Sequence, residues 1–284
     1  MSRASLSAML IGLSVVGSAM LNPAEAGQGA AAPRQAGAPV QFVAHDHGYT
    51  GPDRIPAGMT TVEIVNHGQD VHHAQIVKLA AEKTVEDFVS AMKADPVHWP
   101  GWVNFAGGPN GVMPGERASA TMNLDAGHYM VLCIIPDRQG VPHVMLGMTK
   151  PFTVVPVRTV STSEPIPDLI MTPRDFHFDL SKPITAGTQT IQVNNGGTQP
   201  HEVVVVKLEP GASVKDFIAS FEPGASGPPP GRLAGGLVGL DRGRRAFFTA
   251  TFEPGRYALM CFFPDQKTGQ PHFAEGMISE FTVK

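Results

Sequence analysis

Two stretches of the sequence hold residues that could do chemistry together. One runs Tyr129-Met-Val-Leu-Cys133-Ile-Ile-Pro-Asp137-Arg-Gln-Gly-Val-Pro-His143-Val-Met-Leu-Gly147-Met148. The other runs Tyr257-Ala-Leu-Met-Cys261-Phe-Phe-Pro-Asp265-Gln-Lys-Thr-Gly-Gln-Pro-His272-Phe-Ala-Glu-Gly276-Met277. In each, an apolar strand ends in a Cys, a loop follows, and Pro-His and Gly-Met close it. A thiolate, an imidazole and a thioether are donors suited to copper. One upstream His in each half, His72 and His201, completes a set of four. Two imidazoles and a thiolate in a near-trigonal plane, with a weak axial thioether, make a type 1 copper site. Cu(I) prefers soft sulfur and Cu(II) prefers nitrogen, so a rigid mixed set suits both states. The expected ligands are His72, Cys133, His143 and Met148 in one half, and His201, Cys261, His272 and Met277 in the other.

The elements that must position these residues occur twice. Paired markers run through both halves: Ala57-Gly58 and Ala186-Gly187, Asn66 and Asn195, Lys78-Leu79 and Lys207-Leu208. They continue with Ala106-Gly107-Gly108 and Ala234-Gly235-Gly236, then Phe152-Thr-Val and Phe281-Thr-Val. An internal duplication follows, with one copy over 40–155, a Pro/Ser/Thr-rich linker over 156–168 and a second copy over 169–284. Thr60–Val65 and Thr188–Val193 alternate apolar and polar residues, a strand pattern. Ala74–Leu79, Val203–Leu208, Ala118–Leu124 and Ala246–Phe252 also read as strands. The fold class is all-β: two tandem Greek-key sandwiches, each with one inserted short helix. Thr84 with Asp87, and Ser213 with Asp216, have capping-box spacing. Val85, Phe88, Val89 and Met92 form one apolar stripe, and Val214, Phe217, Ile218 and Phe221 the other. The following loops, Asp95–Asn110 and Glu222–Gly231, are too rich in Pro and Gly for regular structure. Gly147 and Gly276 would let the backbone turn back before each Met.

The first residues read as an export signal. Arg3 precedes an uncharged apolar run from Leu6 to Leu21, and Ala24-Glu25-Ala26 fits a cleavage site. Residues 1–26 are the signal and 27–39 a flexible leader. A membrane anchor is the alternative for the apolar run, although Gly and Ser interrupt it; no later segment is long and apolar enough to span a bilayer. The expected location is periplasmic or secreted, where two cysteines could form a disulfide. Cys133 and Cys261 hold the same position in two repeats, however, and such positions rarely come within bridging distance. Two separate metal-held thiolates, or two inert buried cysteines, are the other readings. The chain of 284 residues has net charge −4 and no basic block, which gives no support to a nucleic-acid partner.

The sequence resembles the cupredoxins, the blue copper proteins, across nearly all of the mature chain. Asn194-Asn-Gly-Gly-Thr-Gln-Pro-His201 is similar to the segment bearing the first ligand in plastocyanin-type domains. Cys133-x9-His143-x4-Met148 and Cys261-x10-His272-x4-Met277 resemble the ligand loop of the type 1 domain of copper nitrite reductases. The resemblance implies an eight-stranded Greek-key sandwich per half, one copper per half and one-electron transfer with a redox partner protein. It departs from small carriers in the longer Cys-to-His loop. It departs again in the residue after the first His, His73 in one half and Glu202 in the other, where relatives often place a small polar residue.

Oxidases and nitrite reductases of this kind reach their catalytic copper through a His beside the Cys. Here Leu132 and Ile134 flank Cys133, and Met260 and Phe262 flank Cys261, so an electron carrier is expected rather than an enzyme. Copper buffering without redox work, a metal-free interaction module, and an oxidase or reductase with its catalytic copper near His45 and His47 are the other readings. His45 and His47 form a His-x-His pair on an expected strand, pointing to one face; a further metal site there and ordinary surface histidines both stay open. Tyr129 and Tyr257 are expected in the sandwich core. Neither Gly107-Gly108 nor Gly235-Gly236 has the Lys-Ser/Thr of a phosphate cradle.

Overall fold

The computed structural model describes residues 38–158 and 163–284. The expected signal, nearly all of the leader and part of the linker lie outside them. The first half holds β1 (Val40–His45), β2 (Gly48–Thr50), β3 (Arg54–Pro56), β4 (Gly58–Asn66), β5 (Gln75–Leu79), α1 (Val85–Ala94), β6 (Val103–Gly107), β7 (Arg117–Leu124), β8 (Gly127–Leu132) and β9 (Thr149–Val155). The second holds β10 (Leu169–Arg174), β11 (His177–Leu180), β12 (Gly187–Asn194), β13 (His201–Leu208), α2 (Val214–Ala219), β14 (Gly231–Leu240), β15 (Arg245–Phe252), β16 (Gly255–Met260) and β17 (Ile278–Val283). No helix among the described residues is long and apolar enough to cross a membrane.

In the first half β2-β1-β4-β7 form one sheet and β6-β5-β8-β9 the other, with β3 added beside β9. The second half repeats the order as β11-β10-β12-β15 and β14-β13-β16-β17. Even the parallel pairing of β1 with β4 recurs, as β10 with β12. Each half is therefore the eight-stranded Greek-key sandwich that the resemblance implies. The alternation read in Thr60–Val65 is realised in β4, where buried and part-buried residues alternate along most of the strand. Tyr129 and Tyr257 are core residues, each with its hydroxyl donating to a carbonyl four residues back, on Asp125 at 2.8 Å and Glu253 at 3.0 Å. Such a bond satisfies the one polar atom of a buried ring. Both capping boxes form, and α2 ends at Ala219, before Phe221.

The two halves share both sheets. β15 pairs antiparallel with β7, and β14 with β6. Side chains reinforce this seam: Asn110 donates to the carbonyls of Val203 and Leu237, and Gln75 to that of Gly239. Both β6 and the start of β14 fall in or against stretches expected to be loops, so that expectation is corrected. The physical reason is the seam itself. A Gly- and Pro-rich segment has little local strand preference, but here each finds a partner strand on two sides. The repeated glycines mark a bulge in these strands. Gly108 and Gly236 have φ of +138° and +131°, and a Cβ on either would lie 2.0 Å from a carbonyl oxygen, of Ala74 or Val203.

Gly236→Ala is therefore expected to destabilise the protein by about 3 kcal/mol, through backbone strain plus overlap. Gly211→Ala, at φ +83° in open space, should cost only about 1 kcal/mol. Urea midpoints of the two variants check this; equal losses would remove the overlap from the explanation.

Candidate metal centres

The upstream His of each site is held by a turn built on a buried Asn. Asn66 donates to the carbonyls of Asp70 and Val112 and accepts from Gly68 N–H. Asn195 repeats this with Gln199, Leu240 and Gly197. His72 is then fixed by a two-way backbone bridge to Val112, and His201 opens β13. Cys133 and Cys261 sit one residue past β8 and β16. The loop after each Cys folds straight back. His143 N–H donates to Ile135 O and Val144 N–H to Cys133 O, and His272 N–H and Phe273 N–H do the same to Phe263 O and Cys261 O. Gly147 and Gly276 are left-handed, at φ +100° and +105°. They return the chain so that Met148 and Met277 donate backbone N–H bonds to the carbonyls of His143 and His272.

The outcome is two buried triads, His72–Cys133–His143 and His201–Cys261–His272, with the donor atoms of each within 4.8 Å of one another. The two Nδ1 atoms face each other at 3.2 Å in the first and 3.0 Å in the second. Cys133 Sγ lies 3.5 Å from His143 Nδ1, and Cys261 Sγ 3.3 Å from His272 Nδ1. Nitrogens so spaced can both reach a common ion at about 2.0–2.1 Å, an ordinary metal–imidazole bond. The donor set fits a first-row transition ion with an affinity for sulfur and nitrogen. Met148 and Met277 are fully buried beside these residues. The cysteines are free thiols, not a disulfide.

A second set of residues aims the donors. His72 Nε2 donates to Asp46 Oδ1 at 3.0 Å and His201 Nε2 to Asp175 Oδ1 at 2.6 Å. A proton held on Nε2 leaves the Nδ1 lone pair facing inward. There is no room to spare around this bond: a Cβ on Gly68 would sit 2.2 Å from Asp46 Oδ1, and one on Gly197 2.3 Å from His201 Nε2. The two aspartates escaped the sequence reading. Their signal was present, because each lies 26 residues before its histidine, in register with the duplication.

His73 and Glu202, the departures from the cupredoxin pattern, turn out to do the same work. Their backbone N–H groups face the two sulfurs. Their side chains accept from the residue after each Cys: His73 Nε2 from Ile134 N–H at 2.9 Å, and Glu202 Oε1 from Phe262 N–H at 2.7 Å. Each therefore ties the His-bearing segment to the Cys-bearing one.

The His45/His47 expectation is corrected. β1 ends at His45, and His47 occupies the turn at φ +69°, so the two do not share a strand face. His45 packs near His67, with ring centres 5.9 Å apart. His47 packs over His143 at 6.3 Å, and its counterpart Phe176 over His272 at 5.1 Å. Under these caps the Nε2 atoms of His143 and His272 are buried and have no hydrogen-bond partner among the described residues.

No protein-family model matches the sequence, and no curated protein does. Among solved structures, the chain is similar to the reduced auracyanin of Roseiflexus castenholzii, at 22% identity and TM-score 0.28 over 40% of this chain and 94% of that one. It is similar to auracyanin A, a "blue" copper protein from Chloroflexus aurantiacus, at 18% identity and TM-score 0.29 over 41% and 99%. It is also similar to the copper-containing nitrite reductase of Thermus scotoductus SA-01, at 13% identity and TM-score 0.24. That match covers 86% of this chain and 61% of the reductase.

The buried donors make the metal-free protein sensitive to pH in both directions. Burial depresses His73 from the ordinary 6.5 to about 3, and His272 to about 4. Burial pushes the Cys133 thiol from 9.0 up to about 12. Below pH 6.5 the unfolded chain takes up protons that the native histidines refuse. Stability then falls as pH drops toward 4, by about 1.4 kcal/mol per pH unit from His73. Above pH 9.0 the unfolded thiol ionises while the native one does not, so stability falls again. Urea midpoints of metal-free protein should peak between pH 6.5 and 9.0; an unchanged midpoint from pH 7 to pH 4 would contradict neutral buried imidazoles.

Proposed function

We propose that this protein is an exported electron carrier that holds one type 1 copper ion in each of two cupredoxin-like domains, 40–155 and 169–284. The observation that carries the reading is the same buried His–Cys–His triad built twice, with both inward nitrogens being Nδ1. Met148 and Met277, buried beside the triads, would supply a thioether to each set. Bound copper supplies a one-electron couple that the polypeptide lacks.

The chain's own contribution is rigidity. His72 and His201 are fixed from outside by Asp46 and Asp175, and from below by the Asn66 and Asn195 turns. Each sulfur faces two backbone N–H groups, from the residue after the upstream His and from the second residue after the Cys. Such donors stabilise a thiolate without adding a charge. Because burial keeps the free thiol protonated, metal entry must displace that proton, and affinity should rise with pH. Little has to move when the charge of the site changes by one. The redox partner is a protein that approaches near a hairpin tip, where exposed His47 covers one downstream imidazole and half-buried Phe176 the other.

A second reading, copper buffering without redox exchange, draws on those same caps. Both downstream imidazoles are closed off from solvent, which slows electron transfer to a partner while protecting the metal.

Copper titration of the purified protein tests both. Two ions per chain and an intense visible thiolate-to-copper absorption are expected, with Cys133→Ser and Cys261→Ser each removing one ion and part of the colour. A colourless protein after copper loading would refute the type 1 assignment. Reversible voltammetry distinguishes the carrier from the buffer. Asp46→Ala and Asp175→Ala should each weaken copper binding in their own half by about 10–100-fold, because the imidazole loses its tautomer lock. Competition with a chelator measures that loss, and unchanged affinity would reduce the carboxylates to surface acids.

A further inference from the structure

The two centres differ at the sulfur. Three residues after Asp46 stands Tyr49, and three residues after Asp175 stands Phe178. They hold the same register position: Tyr49 on β2 pairs with Ala44 of β1, and Phe178 on β11 pairs with Pro173 of β10. Tyr49 is buried in the apolar cluster that holds Cys133 and Met148, and Phe178 packs against the one that holds Cys261 and Met277. At this position one hydroxyl separates the two walls.

That hydroxyl reaches the first sulfur. It donates to His73 O and lies in hydrogen-bond contact with Cys133 Sγ. Cys133 thus faces three groups able to donate, the Tyr49 hydroxyl and the backbone N–H groups of His73 and Ile135. Cys261 faces two, the N–H groups of Glu202 and Phe263. A thiol gives up its proton when it takes a metal, and its sulfur then only accepts. A hydroxyl hydrogen can turn without moving the ring. A charged acceptor makes a bond roughly twice as strong as a neutral carbonyl does, so a thiolate wins the Tyr49 proton from His73 O. A donor on a thiolate draws electron density out of it. The oxidised ion depends on that density more than the reduced one, so hydrogen bonding around the sulfur moves the potential.

We propose that Tyr49 makes the two centres unequal: its O–H donates to the Cys133 thiolate and sets the first half at the higher potential. The inference rests on the copper reading above. One electron from the redox partner then converts Cu(II) to Cu(I) in the first half, with no proton taken up, while the second half stays oxidised. When both halves are reduced, the second gives up its electron first.

Spectroelectrochemical titration of copper-loaded variants with one centre each tests it. Cys261→Ser keeps the first centre and Cys133→Ser the second. The first should show the higher midpoint. Adding Tyr49→Phe should cut its preference for Cu(I) about tenfold, or about 59 mV for one electron. The reverse change, Phe178→Tyr in the Cys133→Ser chain, should raise the second midpoint. A role confined to holding His73 O would instead weaken copper binding, read by chelator competition, and leave the midpoint where it was. Equal midpoints in the two halves overturn the proposal, as does an unchanged midpoint after Tyr49→Phe. If that variant fails to hold copper, Phe178→Tyr decides: a raised midpoint supports the proposal and an unchanged one overturns it. A colourless wild-type chain after copper loading is a separate outcome, which refutes the copper reading itself.

Discussion

Three lone-pair donors held within 4.8 Å of one another in a buried interior are an unfavourable arrangement. Desolvation acts against every charged form of the three, and the Nδ1 atoms cannot both donate across 3.0–3.2 Å. A protein tolerates such a cluster only if rigid surroundings impose it. Much of this chain is concerned with imposing it. The buried Asn turns, the Asp–His bonds, the Pro-rich loops and the left-handed glycines each remove a freedom that would let the donors drift apart. A bound metal ion would turn this arrangement from a cost into a stabilising feature.

The duplication adds a second level. Each sandwich has an edge, formed by β7 in one sheet and β6 in the other, or by β15 and β14. An exposed edge invites uncontrolled pairing. Joining the copies edge to edge satisfies both edges at once and runs one apolar core through the pair. The seam also brings His73 of one half and Glu202 of the other to a common cavity. Two residues that do the same bracing work in their own centres thus acquire different surroundings on their outer sides.

The strands that carry the ligands were legible because their cues are local. Alternation announces β4 and β12, apolar runs ending in Cys announce β8 and β16, and the capping boxes of α1 and α2 need only four residues. The clustering of the two His–Cys–His triads was legible because the duplication repeats their order and spacing. What escaped depends on distant contacts. β6 and β14 are strands because the seam supplies partners, which no window of Gly-rich sequence reveals. The His45/His47 pairing failed for a related reason: Asp46 is drawn toward His72, a residue far along the chain, and the turn this requires ends β1 at His45. Asp46 and Asp175 could have been found by extending the repeat alignment upstream. The cavity between the halves could not, since it belongs to their docking.

The central claim is that each half brings its own sulfur and two imidazole nitrogens onto one metal ion. A crystal of the copper-loaded protein, recorded at the copper absorption edge, tests it most directly. The account predicts two anomalous peaks per chain, one bounded by His72 Nδ1, Cys133 Sγ and His143 Nδ1, the other by His201 Nδ1, Cys261 Sγ and His272 Nδ1. Copper bound instead at surface histidines such as His45 or His47, with both triads empty, would contradict it.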